Sequence, residues 1–420
     1  MVVAQKRCLT NQSGSTDHMR DNGKVRIEKM VYGGTGLSRN EGKVVMTPFV
    51  LPGEDIAIRV VKEKKEFDEG GIESIVERSK DRIDPKCEYF THCGGCNYQH
   101  TFYENQVEIK KTVLREVLER VGRVTAPAEI PAIVGEPWEY RNRAQFHIEN
   151  GRIGYRKAGS HSVVDVEECP IVSPKINEAL CALRGIVKDR RFPRFLESLE
   201  LFTNESEVQV NVMQTHGALH VARPFFDWVE KEISGAISGP LEYHAMGEKF
   251  RVSHRSFFQI NRFLLPQLVD AAIGKAEGTL AFDLYAGVGL FTIPLSRRFK
   301  KVTAVEMSRS GHADLEANMA TAHRKVDTIR NQTEMFLESA DKTPDFILVD
   351  PPRAGLGKPV TKELLRIGAK HVTIISCDPP TLARDLQALT AGGYAIDEMI
   401  LVDLFPQTYH METITRLVKQ

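Results

Sequence analysis

Residues 281–291 of this 420-residue chain read AFDLYAGVGLF, an apolar run that leads into a Gly-x-Gly turn. The run predicts a buried strand, and the two glycines predict a tight turn followed by a helix. A second apolar run, residues 302–305, ends at the acidic Glu306. Strand, turn, helix and strand in this order are typical of a parallel sheet covered by helices.

The same alternation continues to the end of the chain. Residues 251–420 are therefore predicted to form a Rossmann-like α/β domain with a mixed, mostly parallel sheet. The predicted strands are 279–285, 302–307, 345–350, 371–377, 394–404 and 412–418, and the predicted helices are 288–298, 312–322, 359–368 and 381–390.

Two further domains are predicted before this one. Residues 22–80 contain short apolar runs separated by glycine-rich turns, which indicates a small all-β barrel. Residues 81–250 mix strands with helices and predict a second α/β unit, whose helix at 103–122 is expected to pack on the last domain. The first two dozen residues lack the apolar core of a secretion signal and are predicted to be a loose tail.

Composition narrows the functional classes. Charged residues make up 27% and hydrophobic residues 42%, as in an ordinary globular protein. The 56 basic and 56 acidic residues balance, so any RNA site must be a local patch. No apolar run approaches the roughly 18 residues of a membrane helix, and a cytoplasmic location is expected. In that reducing compartment, the seven cysteines favour metal binding or catalysis over disulfides.

The Gly-x-Gly turn is a candidate nucleotide-cofactor site. A dinucleotide fingerprint would have a third glycine where Thr292 stands. Glu306 lies about twenty residues after the turn, where an acidic residue binds ribose hydroxyls. Both features fit S-adenosylmethionine better than a nicotinamide cofactor, although a generic Rossmann-like turn remains an alternative.

Asp350 lies at another predicted strand end, in the sequence Asp-Pro-Pro. This motif is similar to that of enzymes that methylate amino groups of adenine or cytosine. Those enzymes follow the prolines with an aromatic residue that stacks on the base. Arg353 takes that position here, which argues against amino methylation.

Cys377 ends the predicted strand 371–377 and is soon followed by Pro379 and Pro380, which cannot continue the strand. The carboxyl ends of strands are where open α/β sheets bind ligands. An isolated cysteine is more often a small buried apolar residue than a nucleophile, so both alternatives stay open on this residue alone.

Four motifs together resemble the RNA 5-methyluridine methyltransferase family: SFFQIN at 256–261, DPPR at 350–353, SCDP at 376–379 and FPQTYHMET at 405–413. The helix with Gln106 and Lys110, the segment YRNR and the N-terminal barrel resemble the ribosomal-RNA-directed members. The resemblance implies a class I methyltransferase domain, and it implies that residues 22–80 form an OB-like RNA-binding module, the TRAM domain.

The resemblance also implies residue roles. Cys377 would add to uracil C6, and Glu412 would remove the C5 proton. We expect a following helix near 381 to lower the pKa of Cys377. We expect partial shielding by Phe405 and Met411 to raise the pKa of Glu412. The residues implied to contact the cofactor are Gln259, Tyr285, Glu306 and Asp350, with Gln332 at the adenine and Asn331 as the second choice.

Three closely spaced cysteines and one distant cysteine form a candidate metal site. Four thiolates suit either zinc or an iron–sulfur cluster. The resembling family holds a 4Fe–4S cluster with this pattern, which favours iron here. The candidate ligands are Cys87, Cys93, Cys96 and Cys169, whereas Cys8 and Cys181 have no motif around them.

The expected partner is RNA, with an unpaired uridine of ribosomal RNA as target and transfer RNA as the alternative. Basic residues alternate with aromatic ones at 140–143 and 190–195, where phosphates and bases could bind. A monomer is expected. Two other functions remain open: a cytosine C5-methyltransferase, and an RNA chaperone without turnover.

Overall fold

The computed structural model describes residues 23–420, so the predicted tail and Cys8 lie outside the described residues. The chain divides into two compact units. The first contains the described residues up to Met30 together with Thr35–Lys80, and the second contains Val31–Gly34 and Asp81–Gln420.

The N-terminal strands form one six-stranded sheet with the order β1-β5-β6-β4-β3-β2. Alternate residues of β5 face the core, where Ile56 and Ile58 are buried. Whether this sheet closes into the OB-like barrel stays a prediction. The strands are β1 (Lys24–Arg26), β2 (Lys29–Val31), β3 (Thr35–Asn40), β4 (Lys43–Pro48), β5 (Asp55–Glu63) and β6 (Phe67–Glu77).

A helix and a second six-stranded sheet follow. The helix continues as a π-helical turn, Leu118–Gly122, that packs against a later helix at Ala383. The sheet order is β10-β9-β8-β11-β12-β13. The elements are α1 (Tyr103–Val117), β7 (Ala132–Ile133), β8 (Arg143–Glu149), β9 (Arg152–Arg156), β10 (Val163–Asp165), α2 (Pro174–Ile186), β11 (Leu196–Thr203), β12 (Val208–Thr215), α3 (Arg223–Glu232) and β13 (Ala236–Ile237).

The remaining elements form a hairpin, β14–β15, and, together with β7, an eight-stranded sheet. They are β14 (Leu241–Ala245), β15 (Glu248–Val252), α4 (Leu265–Ile273), β16 (Gly278–Leu284), α5 (Thr292–Arg298), β17 (Phe299–Val305), α6 (Arg309–Thr321), β18 (Asp327–Ile329), α7 (Thr333–Ser339), β19 (Phe346–Val349), α8 (Gly357–Ile367), β20 (His371–Ser376), α9 (Pro379–Ala391), β21 (Tyr394–Val402) and β22 (Glu412–Lys419).

The sheet order is β18-β17-β16-β19-β20-β22-β21-β7. The first five strands are parallel, and β22 runs antiparallel to both of its neighbours. This confirms the predicted α/β class with a mixed, mostly parallel sheet. The strand β19 is buried along its whole length, as expected for a sheet covered on both faces.

The structure adds elements that the sequence did not predict. α4 and α7 were not predicted, and the short β7, far upstream in the chain, joins the edge of this sheet beside β21. α5 begins at Thr292 and not at 288, because Gly287 and Gly289 take positive φ angles of 56° and 95° that end any helical path there. In the described part of the chain, no helix is both long and apolar enough to cross a membrane.

Candidate active site

Strand register brings three predicted residues to one edge of the sheet. Leu284 on β16 pairs with Val305 on β17 and with Val349 on β19. The residues that follow these three are Tyr285, Glu306 and Asp350, so they emerge side by side at the carboxyl edge. This is the edge at which open α/β sheets bind ligands.

The antiparallel strand β22 brings the predicted base to the predicted nucleophile. Ser376 on β20 pairs with Thr413 on β22, and the Thr413 hydroxyl donates to the Ser376 carbonyl over 3.0 Å. The ladder ends at this pair, and the next residues of the two segments are Cys377 and Glu412. Both side chains line the same space.

That space is a cleft of about 990 Å³. Its volume lies at the upper end of the range for ligand sites, roughly 300–1,000 Å³. Gln332 lines the cleft, whereas Asn331 does not and instead accepts the Gln332 backbone N–H over 2.8 Å. All seven predicted catalytic and cofactor residues line it: Gln259, Tyr285, Glu306, Gln332, Asp350, Cys377 and Glu412.

Glu306 is fixed by the glycine turn. One of its carboxylate oxygens accepts the Gly287 N–H over 3.0 Å, and the other accepts the Ser308 N–H over 2.6 Å. The Ala286 N–H donates to Val305 O over 2.9 Å, which holds the turn against β17. Each oxygen keeps a lone pair that can accept a further hydrogen bond, for example from a ribose hydroxyl.

Three carboxyl groups with raised pKa values lie behind this edge. Burial raises the pKa of Asp283 to about 7, and the charge of Glu306 adds to the shift. Burial likewise raises the pKa of Asp350 to about 7, with Asp283 as the second cause. The pKa of Glu412 lies well above its usual value because of burial and the charge of Asp350. A raised pKa for Glu412 is the direction that the sequence predicted.

The expectation for the thiol was wrong. Burial raises the pKa of Cys377 to about 12, and the charge of Glu412 contributes next. α9 does start beside the thiol, but Pro379 and Pro380 have no N–H to offer it. The next N–H, that of Thr381, is capped by the Asp378 carboxylate over 3.0 Å. The helix terminus therefore has no free donor with which to stabilise a thiolate.

The sequence analysis assigned no role in the site to Arg353 and His410, which both line the cleft. Burial, together with Arg353 and other cations, lowers the pKa of His410 to about 4, so this imidazole is neutral at neutral pH. Phe405 packs edge-on against His410 with ring centroids 5.9 Å apart. Both lie inside the motif 405–413, which was the available signal for them.

The two candidate RNA segments are largely engaged within the protein. In segment 140–143, Tyr140 and Asn142 are buried, while Arg141 lines the cleft. In segment 190–195, Arg191 pairs with Asp189 over 2.9 Å and lies over the ring of Trp228. These internal contacts account for much of the basic and aromatic character of both segments.

The segment that precedes Glu412, residues 403–411, is called the base loop here. α1 contacts it through two buried interactions. Lys110 Nζ lies 2.7 Å from an Asp403 carboxylate oxygen, with both side chains fully buried, and also donates to Phe405 O over 3.0 Å. The backbone N–H of Gln407 donates to Gln106 Oε1 over 2.9 Å, and Gln106 Nε2 donates to Gln407 Oε1 over 3.0 Å.

A second cavity is lined by Cys87, Cys93, Cys96 and Cys169. Cys181 is exposed on α2 and does not line it. Arg141 lines this cavity as well as the cleft. Within residues 23–420, no group of three or more His, Cys, Asp and Glu side chains has the spacing that holds a single metal ion.

Comparison with known proteins gives consistent results. Residues 237–420 match the family described as tRNA (Uracil-5-)-methyltransferase. An "uncharacterized RNA methyltransferase" of Thermotoga maritima is 31% identical over 94% of this chain and 98% of its own length. The 23S rRNA (uracil(1939)-C(5))-methyltransferase RlmD of Shewanella woodyi is 30% identical, covering 93% of this chain and 94% of its own length.

A solved structure is similar over nearly the whole chain. The Pyrococcus abyssi tRNA (uracil-54, C5)-methyltransferase, in complex with S-adenosyl-L-homocysteine, aligns with a TM-score of 0.76 and 25% identity. The alignment covers 96% of this chain and 100% of that one.

Proposed function

Because this chain belongs to the RNA uracil C5-methyltransferases, we propose that it methylates C5 of an unpaired uridine in RNA through a covalent adduct on Cys377. The observation that supports the mechanism is that Cys377 and Glu412, which flank the last pair of the β20–β22 ladder, line one cleft. The reaction needs a nucleophile and a base at the same pyrimidine ring.

Uracil C5 is a weak nucleophile until a thiolate adds to C6. As the Cys377 sulfur adds, the electrons of the C5–C6 double bond move to C5 and the neighbouring carbonyl oxygen. Burial keeps this thiol protonated in the free enzyme, so its proton must leave during the addition. Asp350, a carboxylate close enough to raise the thiol pKa, can accept that proton, so Glu412 need not take part in this step.

S-adenosylmethionine, when bound, supplies an electrophilic methyl group on a cationic sulfonium, which C5 of the adduct accepts. Glu412 then takes the C5 proton, and the electrons of the C5–H bond restore the C5–C6 double bond. The C6–S bond breaks and Cys377 leaves as a thiolate. A base with a raised pKa suits this step, because it binds the proton more strongly once ionised.

The cleft fits this methyl donor. Its acidic groups, Glu306, Asp350 and Glu412, favour a cation, and Glu306 is already fixed with free lone pairs towards ribose hydroxyls. We assign Gln259 and Tyr285 to further contacts with the donor and Gln332 to its adenine. The volume of about 990 Å³ leaves room for a pyrimidine beside the donor.

We further propose that Cys87, Cys93, Cys96 and Cys169 hold a 4Fe–4S cluster. In support, the four thiols line one cavity. Four cysteine thiolates can bind either zinc or a 4Fe–4S cluster, and the family resemblance favours the cluster. Its expected role is structural.

The substrate is proposed to be ribosomal RNA, because a relative 30% identical over nearly its whole length is a 23S rRNA enzyme. Transfer RNA is the second candidate, since the similar solved structure is a tRNA enzyme. An RNA-binding TRAM domain at 22–80 and a monomeric state remain predictions.

Two experiments test the proposal. Mapping 5-methyluridine in total RNA with and without the gene identifies the substrate, and loss of a single ribosomal uridine modification is expected. Incubation with 5-fluorouridine RNA and the methyl donor should trap a protein–RNA adduct that survives denaturation. Fluorine replaces the hydrogen at C5, so the base finds no C5 proton to remove and the adduct cannot be released. The Cys377→Ala variant is the control, and methylation by that variant at the wild-type rate would disprove the mechanism.

A further inference from the structure

Two segments next to the four-cysteine cavity hold the base loop by hydrogen bonds. In the first segment, the residues directly after Cys96 contact the loop: the Asn97 and Tyr98 N–H groups both donate to Gln407 O, over 2.8 and 3.0 Å. The side-chain oxygen of Asn97 also accepts the Tyr409 N–H over 3.4 Å. The cysteine-bearing segment therefore supports the middle of the base loop directly.

The second segment starts at Cys169. The residues that follow it, Pro170 and Ile171, accept N–H groups from Glu139 and Arg141, each over 3.0 Å. Between these two lies Tyr140, which is fully buried and whose hydroxyl donates to Pro406 O over 3.0 Å. One hydrogen-bonded segment thus separates Cys169 from the base loop.

Both segments converge on the neighbours Pro406 and Gln407. Gln407 is 2% exposed and has a φ of 68°, a conformation that a residue with a side chain adopts only when its surroundings impose it. Glu412 still pairs with Val402 on β21, but on the β20 side the ladder ends at Thr413. The position of the Glu412 carboxyl therefore depends on the loop before it.

We propose that whatever joins the four cysteines holds the base loop in place, with Tyr140 and Gln407 as positioning residues for Glu412. This inference rests on the proposed function. In the described part of the chain the cysteines form no disulfide, so a cluster would be the link that joins Cys96 to Cys169. Loss of that link should slow the removal of the C5 proton more than the addition of Cys377, which lies between β20 and α9.

The step in question is the last one of the reaction. Glu412 accepts the C5 proton, the C5–C6 double bond forms again, and the C6–S bond breaks to free Cys377. If only this step slows, protein–RNA adduct accumulates during turnover with ordinary uridine RNA and the methyl donor. The fraction of enzyme in the adduct therefore reports the ratio of formation to release.

The test compares Tyr140→Phe with Cys96→Ser in the full-length protein. Tyr140→Phe keeps the ring and removes only the hydrogen bond to Pro406. It should retain iron and release the adduct about five- to tenfold more slowly, with formation unchanged. Cys96→Ser should lose iron and slow release at least as much. Both changes combined should slow release no further than Cys96→Ser alone.

Matched controls separate this effect from general destabilisation. Tyr394→Phe removes a buried tyrosine hydroxyl that donates to a backbone oxygen, Ala369 O, over 2.7 Å, away from the base loop. Cys181→Ser changes an exposed thiol outside the cavity. Both controls should keep the wild-type adduct fraction, iron content and melting temperature within a few degrees.

The outcomes are distinct. Wild-type release from both Tyr140→Phe and Cys96→Ser would overturn the inference and leave the proposed function intact. An equal loss of formation and release would also overturn it, because the cavity would then serve only the stability of the fold. A wild-type enzyme that methylates RNA with no adduct would instead refute the mechanism proposed above.

Discussion

The thiol of Cys377 should react with iodoacetamide far more slowly than an ordinary cysteine. Burial is the largest cause that raises the pKa of this thiol from its ordinary value of 9.0 to about 12. Only the thiolate is the nucleophile, so at neutral pH this difference corresponds to a labelling rate lower by about a thousandfold. The contribution of burial acts at every pH. The charge of Glu412 adds to it only where that carboxyl is ionised.

The measurement is peptide-resolved mass spectrometry of alkylation between pH 7 and pH 10. The labelling rate at Cys377 should rise about tenfold per pH unit over this whole range, because the thiol remains mostly protonated. The exposed Cys181 provides an internal reference in the same sample. A plateau of the Cys377 rate near pH 9 would refute the reasoning, since it would show an ordinary thiol.

Two variants identify the cause of the shift. Glu412→Gln removes the second-largest contribution and should speed labelling. Arg353→Gln removes a charge that lowers the pKa and should slow labelling. Unchanged rates in both variants would leave burial as the whole explanation and contradict the role assigned to these charges.

Three further predictions concern the base, the cysteine cavity and the buried ion pair. Glu412→Gln should form the RNA adduct but release it at least about a hundredfold more slowly, as measured from the adduct band on denaturing gels. Rapid turnover by this variant would contradict the role of Glu412 as the base. Cys169→Ala should abolish bound iron and visible absorption, whereas full iron content would exclude this residue as a ligand. Lys110→Met should lower the free energy of unfolding in urea by about 3–5 kcal/mol because it leaves Asp403 charged and buried, and Lys110→Met with Asp403→Leu should recover much of that loss.

Much of the site could be predicted because its residues follow apolar strands. Tyr285, Glu306, Asp350 and Cys377 each come directly after a buried strand, and parallel strands end at one edge of a sheet. The sequence locates such residues well, because the strand pattern and the position of the polar residue are both local properties. The fold class followed from the same alternation of strands and helices.

Other features depend on contacts between distant parts of the chain. The pairing of Gln106 with Gln407 joins residues 301 positions apart, and no periodicity in either segment reports it. The raised pKa of Cys377 depends on burial and on a helix start that lacks free donors, so the position of α9 alone predicted the wrong sign. Arg141 was noted only as part of the segment 140–143, although it lines two cavities.

The carboxyl groups behind the sheet edge give the resting site a further property. Burial raises the pKa values of Asp283, behind the cleft, and of Asp350, in its lining, to about 7, so near neutrality both carboxyl groups carry exchangeable protons part of the time. A ligand that carries a positive charge would displace some of those protons into the buffer. Calorimetry in buffers of different ionisation enthalpy would count them, and acidification below neutrality should weaken the uptake of such a ligand. Binding of a cation at this site would then be coupled to the release of protons.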